Sequence, residues 1–309
     1  MNYQLLPFER TSQLFADLFG CPISVATLLD SIHRCSEGLE ETEKEIKQGL
    51  VQAEVVNFDE TGLKIAGKRH WLHVASTTEL THYGSHARRG KEAMDEIAIL
   101  PNFRGRAIHD GLSCYHSYEC DHGLCNAHHL RELTFIEERE GQAWAGKMKG
   151  LLVEIKHRVC EAREGGEEKL EQELMESFEH RYQQVLEEGF ETNPPTPTAA
   201  MSESGPKKRG RKKQSKARNL LDRLSKYRSE VLAFMYDFRV PFDNNLAERD
   251  LRMMKVQQKI SGCFRSSEGA KFFCRIRSYI STVRKQGKNV LEMIERVFKG
   301  NPLLPNPGG

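Results

Sequence analysis

The sequence predicts an α/β fold in which helices flank one mixed β-sheet. Strand-like and helix-like segments alternate over residues 51–139 in the order strand, strand, strand, helix, strand, helix. The following segment, residues 140–190, changes to a helical period. A chain of 309 residues with 38% hydrophobic and 29% charged residues has enough apolar side chains for a substantial buried core.

The first 50 residues are predicted to be helical. Apolar residues from Leu14 to Phe19 recur on one helix face, Gly20-Cys21-Pro22 interrupts the pattern, and Ser24 can cap a second helix. Two helices joined by a short turn could read DNA as a helix-turn-helix. They could equally be packing helices, and the pattern alone does not decide between the two.

The predicted sheet begins at residue 51, where apolar residues lead through Phe58 to a strand end at Asp59. Residues 64–86 continue it as an antiparallel meander with glycine turn signals. A helix is predicted over residues 88–100. The run GRAIHDG then predicts a strand that ends at Asp110, and CDHGLCNAHHLREL predicts a short strand entering a helix.

The later part of the chain is predicted to be mostly helical. Residues 140–190 form a helical hairpin with an acidic face, interrupted at Gly165-Gly166. Residues 191–219 form a flexible linker that is first rich in Pro and Ser and then basic. A helix over 220–235 leads into VPFDNNLAER, which opens a basic helix.

Charge is distributed unevenly along the chain, although the net charge is only +2. Residues 161–191 contain 11 acidic and 3 basic residues, whereas residues 205–218 contain 8 basic residues and no acid. Residues 249–288 contain 11 basic and 2 acidic residues. This distribution indicates a polyanionic partner for the later part of the chain, with a solvated basic surface as the alternative.

Membrane and secreted classes do not fit the sequence. No run approaches the roughly 20 apolar residues of a membrane-spanning helix. The start, MNYQLLPFERTSQ, lacks the basic-then-apolar pattern of a secretory signal. Eight scattered cysteines in such a chain predict reduced thiols rather than disulfides. We therefore expect a cytoplasmic protein with no membrane partner.

Three acids stand where metal-dependent chemistry would need them. Asp59 and Asp110 each end a predicted strand, and residues at strand ends on one edge of a sheet share a crevice. Their carboxylates are hard ligands suited to Mg²⁺ or Mn²⁺. A third carboxylate, from Glu248, could complete a two-metal site for attack on a phosphodiester.

Each acid also has a purely structural interpretation. Asp is common before turns, where its side chain bonds the local backbone. With Asn245 as N-cap, Glu248 would occupy the third helical position of a capping box. Glu248, Arg252, Lys255 and Lys259 share one helix side, which suits either an ion-paired surface or a stripe that tracks phosphates.

Four segments together resemble, in order, the catalytic region of the insertion-sequence-66 family of bacterial transposases: NFDETGLKIAGKRHWLHVAST, AIHDGLSCY, LCNAHHLREL and VPFDNNLAERDLRMMKVQQKISGCFRS. The resemblance implies an RNase H-like fold with a D-D-E triad of Asp59, Asp110 and Glu248. It implies that the triad binds two Mg²⁺ or Mn²⁺ ions. It also implies hydrolysis of a phosphodiester at transposon ends and transfer of the freed 3′-hydroxyl into target DNA.

By the same resemblance, residues 51–139 and 236–300 form an RNase H-like catalytic core, with residues 140–190 as a large helical insertion between the second Asp and the Glu. His128 and Arg131 match a family motif that is expected to support the active site. Support is also expected from three residues around the Glu: Asn244, Asn245 and Arg249.

A structural zinc is the competing use of the segment around His128. Its ligands would be Cys120, Cys125, His128 and His129. The spacing of these four residues is cramped for tetrahedral ligation, so zinc is not expected.

The resemblance makes DNA the partner, both as transposon ends and as target. The residues expected to contact DNA are Arg252, Lys255, Lys259, Arg265, Lys271, Lys207, Lys208, Arg209, Arg211, Lys212 and Lys213. Arg275 and Arg277 are further candidates. A homodimer or higher oligomer on DNA is expected because two ends must be joined, and companion transposition proteins are possible partners.

Family members commonly begin with a longer region that contains a zinc-binding module. This chain starts about 50 residues before the expected core, so we expect that region to be missing. Two other functions stay open. One is a DNA-binding remnant that no longer transposes, and the other is a different RNase H-like nuclease. The resemblance also implies a bacterial cytoplasmic location, on the nucleoid when DNA is bound.

Overall fold

The computed structural model describes residues 1–195 and 214–304. The chain divides into two compact units. Unit 1 comprises residues 1–122 together with those from Asn244 onward, and unit 2 comprises Gly123–Asp243.

Five strands form one sheet in the described part of the chain, in the order β3-β2-β1-β4-β5. Their bounds are β1 Val55–Ile65, β2 Lys68–Ser76, β3 Thr81–His86, β4 Arg106–His109 and β5 Asp121–Leu124. Strands β1, β2 and β3 pair antiparallel, and β4 pairs parallel with β1. This mixed sheet confirms the predicted α/β class and is consistent with an RNase H-like fold.

Helices surround the sheet in unit 1 and make up most of unit 2. Their bounds are α1 Phe8–Phe19, α2 Val25–Glu37, α3 Glu40–Gln52, α4 Lys91–Ile97, α5 Asn126–Glu140, α6 Ala143–Glu164, α7 Gln172–Thr192, α8 Lys216–Lys226, α9 Arg228–Val231, α10 Ala233–Tyr236, α11 Asn245–Ser261, α12 Ser267–Lys285 and α13 Val290–Phe298. None of the helices in the described ranges is long and apolar enough to cross a membrane.

Strand β1 is longer than the sequence predicts. It continues through Asp59 to Ile65, because each residue from Asn57 to Ile65 pairs with a residue of β2. The prediction that Asp59 ends a strand is therefore wrong. The turn lies at Ala66-Gly67, where both residues have positive φ.

The two faces of the sheet pack against different helices, since side chains alternate along a strand. On one face, the α11 face, Leu63 and Ile65 pack with Leu251 of α11 and Phe273 of α12. On the other face, the α4 face, Phe58 packs with a cluster that includes Met94, Leu100, Phe103 and Tyr115. Both faces of β1 are thus covered near its middle, which fixes its register.

A glycine permits the close start of β4 beside β1. A Cβ on Gly105 would lie 2.5 Å from Glu54 O and 2.6 Å from Ala53 O. No other residue fits there without moving the backbone that leads into β1. The N–H of Arg106 donates to Glu54 O at 2.8 Å, so the parallel pairing begins directly after this glycine.

The N-terminal helices form as predicted. Ser24 caps α2, accepting from the Thr27 N–H at 3.0 Å. Helix α2 packs through Cys35 into a cluster with α12 and α13. In α1, by contrast, Leu18 and Phe19 remain exposed.

Unit 2 contains the predicted helical pair, with α6 and α7 separated at Gly165-Gly166. Tyr182 of α7 is buried and donates to Leu224 O of α8 at 3.0 Å. The predicted continuous helix over 220–235 is wrong. Three short helices occupy this stretch, separated at Tyr227 and Leu232, where the backbone leaves the helical conformation.

A buried ion pair ties α11 to the sheet and to α12. Lys285 Nζ donates to Asp250 Oδ2 at 2.8 Å, and both side chains are largely buried. The same carboxylate oxygen accepts hydrogen bonds from Ser76 and Thr81, at the ends of β2 and β3. Lys285 also donates to Thr77 O at 2.7 Å. The network holds the start of α11 in place.

Replacing Lys285 with Met should therefore destabilise unit 1, because it leaves the Asp250 carboxylate buried without its cation. We expect a loss of about 3 kcal/mol in the free energy of unfolding, measured by urea titration. Asp250→Asn combined with Lys285→Met should recover part of the loss. Lys299→Met, which breaks an exposed ion pair on α13, is the control and should have little effect. Equal effects for Lys285→Met and the control would contradict the role of the network.

Candidate active site

Asp59 on β1 and Asp110, the residue directly after β4, lie close together. Asn57 pairs with Ile108 in the parallel ladder of β1 and β4. Counting two residues further along each segment brings Asp59 level with Asp110. Residues level with each other in a sheet point to the same face. That face is the α11 face, which Asp59 shares with Leu63 and Ile65.

Asp110 also makes the local bond expected of a turn residue. Its Oδ1 accepts from the Leu112 N–H at 3.1 Å. Since a carboxylate has two oxygens and several acceptor positions, this bond leaves it able to act as a ligand. The structural and functional interpretations are compatible at this residue.

Asn244 attaches the start of α11 to β1. Its Nδ2 donates to Phe58 O at 2.8 Å, and its Oδ1 accepts from Asn57 Nδ2 at 2.8 Å. Asn244 and Asn57 are both buried. The two bonds secure the helix start against the strand segment that precedes Asp59.

The predicted capping arrangement is wrong. The N-cap of α11 is Asn244 rather than Asn245, and its side chain makes no capping bond. The amide group instead bonds to β1, which satisfies a buried polar side chain and links two distant segments. The Glu248 N–H donates to Asn244 O at 3.2 Å, so Glu248 lies in the first turn of α11.

The charge of Glu248 reaches Asp59. Burial raises the pKa of Asp59 to about 7, although the Glu60 N–H donates to its Oδ1 at 2.8 Å. Repulsion from Glu60, Asp110 and Glu248 raises this pKa further. Asp59 therefore lies within electrostatic range of both Asp110 and Glu248.

The three carboxylates are oxygen donors of the type that hard divalent cations prefer. They come from β1, from the residue after β4 and from the first turn of α11. Without a cation the negative charges repel one another at a partly buried position. A bound cation would remove this repulsion and favour the ionised form of Asp59.

The model of the Transposase IS66 family matches residues 1–272 of this chain. The chain belongs to that family. The match extends over most of both units and includes all three carboxylates. Among curated proteins, none matches the chain. Family membership supports a transposase that uses divalent metal and acts on DNA.

A fourth acid of this transposase, Glu60, lies directly beside the site, and sequence reasoning missed its role. Its side chain is fully buried and points to the α4 face. Arg89 donates to Oε1 through Nε at 2.8 Å, and Tyr115 donates to Oε2 at 2.7 Å. Burial raises the pKa of Glu60, and these two donors oppose the rise.

Three histidines behind Asp110 form a cluster that the sequence did not indicate. The ligand nitrogens of His109, His116 and His122 lie within 4.8 Å of one another. The Gly111 N–H can only donate, and it donates to His109 Nδ1 at 3.0 Å. In the neutral ring the proton is then on Nε2, which lies 3.1 Å from His122 Nδ1. This arrangement favours a hydrogen-bonded chain over metal ligation at His109.

Three basic side chains of α11, those of Arg252, Lys255 and Lys259, are exposed, as the predicted contact with DNA requires. Arg249, predicted to support the active site, is also exposed. Lys255 Nζ lies 3.4 Å from Gly62 O, so the stripe runs beside β1.

Some of the remaining basic candidates are exposed, and others are bound to groups of the protein itself. Arg265 and Lys271 are exposed. Arg277 is only 2% exposed and donates to the carbonyls of Asn2 and Tyr3, so its predicted phosphate contact is wrong. Arg275 is held by Glu43 at 2.6 Å.

Other predicted residues lie in unit 2 or outside the described ranges. His128 and Arg131 are on α5, where Arg131 Nε donates to Ala127 O at 3.2 Å. Their support of the active site stays a prediction. The basic run formed by Lys207, Lys208, Arg209, Arg211, Lys212 and Lys213 lies outside the described residues.

Replacing Asn244 with Ala should weaken the attachment of α11 to β1. The change leaves the Asn57 amide without its acceptor and removes the bond to Phe58 O, so we expect a loss of about 1–3 kcal/mol in the free energy of unfolding. Urea titration measures it. Asn245→Ala, at the exposed next position, is the matched control. An equal loss in both variants would show that the buried amide does not hold the helix start.

The raised pKa of Asp59 predicts a pH dependence for the metal-free protein. The folded state holds the Asp59 proton up to about pH 7, whereas the unfolded chain releases it at about pH 4. The stabilisation is therefore complete below pH 4 and is lost as pH rises through 7. Between pH 4 and 7, Asp59 should lower the free energy of unfolding by up to about 1.4 kcal/mol per pH unit.

Asp59→Asn should remove this slope, as measured by urea unfolding in a chelator at several pH values. Asp30→Asn, an exposed acid on α2, is the control and should keep it. An unchanged slope in Asp59→Asn would mean that Asp59 titrates alike in the folded and unfolded chain.

Proposed function

We propose that unit 1 cleaves and joins DNA strands with two Mg²⁺ or Mn²⁺ ions held by Asp59, Asp110 and Glu248. The observation that supports the proposal is the position of Asp59 on β1, within electrostatic range of both Asp110 after β4 and Glu248 in the first turn of α11. Family membership supports the transposase role. The carboxylate cluster supports the particular chemistry.

The protein's own residues bind the ions and position them. Asp59 is fixed by the paired strand, Asp110 by its bond to the Leu112 N–H, and Glu248 by the attachment of α11 at Asn244. When bound, the ions activate the attacking oxygen and stabilise the leaving 3′ oxygen. Binding is linked to release of the proton that Asp59 holds near neutral pH.

The reaction then has two displacements at phosphorus. In the first, water attacks at a transposon end, the bond from phosphorus to the 3′ oxygen breaks, and a 3′-hydroxyl is released. In the second, that hydroxyl loses its proton and attacks a target phosphodiester, displacing the target's 3′ oxygen. One site can serve both steps because the attacking and leaving groups are oxygens on the same kind of phosphorus.

The basic side chains of α11 supply the electrostatic part of DNA binding. Arg252, Lys255 and Lys259 are exposed along the helix that carries Glu248. Contacts of this kind to phosphates depend on salt and not on base sequence. They support holding DNA beside the carboxylates. A dimer on DNA is expected because two ends are joined in one reaction.

The test is cleavage and strand transfer on labelled transposon-end DNA with Mg²⁺ or Mn²⁺. Glu248→Gln keeps the side-chain shape but weakens a metal ligand, so we expect activity to fall by more than the roughly 100-fold typical for loss of an outer-shell partner. Glu268→Gln, an exposed glutamate in the first turn of α12, is the matched control and should leave activity intact.

Three outcomes distinguish the candidate functions. Equal activity of Glu248→Gln and wild type would overturn the site assignment. Salt-sensitive DNA binding without cleavage by the wild type would favour a DNA-binding remnant. Cleavage of any DNA, without preference for transposon ends and without joining, would favour a different nuclease of this fold.

A further inference from the structure

Two arginines stack on one tryptophan beside the candidate active site. The guanidinium carbon of Arg69 lies 4.6 Å from the centroid of the Trp71 ring, and that of Arg89 lies 4.9 Å from it. Arg69 and Trp71 are two residues apart on β2, so they share a face of the sheet. Trp71 pairs with Gly62 and His73 pairs with Glu60, which places Glu60 on the same face.

Both guanidinium groups retain donors that face solvent. Arg69 is exposed and forms no ion pair within the described ranges. Arg89 is 41% exposed. It uses Nε and Nη2 on Glu60, while its Nη1 donates to no described residue. Stacking on an indole holds a guanidinium in a fixed orientation with its N–H groups outward, the geometry that suits a phosphate oxygen.

The stacked group lies on the α4 face, opposite the face to which Asp59 points, and Glu60 and Asp110 connect it to the carboxylates. Glu60, which anchors Arg89, follows Asp59 directly in β1. Asp110 lies within electrostatic range of both Glu60 and Arg89. Open space beside Trp71 results from Gly62, because a Cβ there would have no neighbour within 4 Å. A bulky chain such as a DNA backbone can therefore approach this face.

We propose that Arg69, Trp71 and Arg89 form a platform that binds a DNA backbone phosphate next to the active site. The proposal rests on the proposed function, because the phosphate that the platform binds would belong to the DNA that the carboxylates cleave. In this arrangement Glu60 fixes Arg89 from inside the protein, and Trp71 fixes both guanidiniums from the side. The platform and the basic stripe of α11 then hold the DNA from opposite faces of β1.

The test is DNA binding by the full chain, measured by fluorescence anisotropy on a labelled duplex of arbitrary sequence, in a chelator and over a range of salt concentrations. Loss of one phosphate contact lowers the slope of log K against log salt by about 0.9. We expect this decrease for Arg69→Gln. Lys299→Gln is the matched control, since it removes the same charge from an exposed lysine at the end of α13, outside both the platform and α11. It should keep the wild-type slope.

Trp71→Leu tests whether stacking on the indole matters for DNA binding in addition to the charge of the arginines, because it removes no charge. We expect it to weaken binding several-fold, with Trp71→Phe restoring much of the affinity. Arg89→Gln is less suitable, since it would strand the buried Glu60 carboxylate. The platform is wrong if Arg69→Gln and Lys299→Gln have equal slopes, or if Trp71→Leu binds as tightly as wild type.

The proposed function can fail separately from the platform. If Glu248→Gln abolishes cleavage while Arg69→Gln and Trp71→Leu bind DNA like wild type, the platform alone is wrong. If the wild type fails to cleave but Arg69→Gln loses a phosphate contact, the platform stands as a DNA-binding site and the proposed chemistry is wrong.

Discussion

The hydrogen bonds of Asn244 to β1 are the constraint on which the rest of the site depends. One amide side chain accepts from Asn57 and donates to Phe58 O, so the start of α11 is fixed against the strand that carries Asp59. Because both partners are buried, breaking the attachment would leave polar groups without water or protein partners. The position of Glu248 one turn later follows from it, and Asp250 reinforces it from the same helix.

Without a bound metal ion, the ionised form of Asp59 is unfavourable. Burial and like charges disfavour ionisation of Asp59, and yet the fold keeps several acids together. Glu60 shows how the protein limits this cost, since Arg89 and Tyr115 satisfy its carboxylate on the α4 face. Among the described residues, neither Asp59 nor Asp110 forms an ion pair with a cationic side chain. A divalent ion is the partner that such a cluster would take.

The sequence predicts the mixed sheet and the three carboxylates because periodicity, turn signals and ordered motifs are local features. It could not predict that Asp59 lies within β1, since that depends on pairing with β2 beyond the DETG segment. It also missed Asn244 as a link to β1 and Arg89 as the partner of Glu60. Those partners are 187 and 29 residues apart, and only the folded chain brings them together. Arg277 was misassigned because a basic helix does not reveal which of its faces is buried.

The most direct measurement is the anomalous diffraction of crystals soaked in Mn²⁺. If the three carboxylates form the metal site, anomalous peaks will lie between Asp59, Asp110 and Glu248, and they will be absent from crystals of Glu248→Gln. Peaks at the His109, His116 and His122 cluster, with none at the carboxylates, would contradict the assignment.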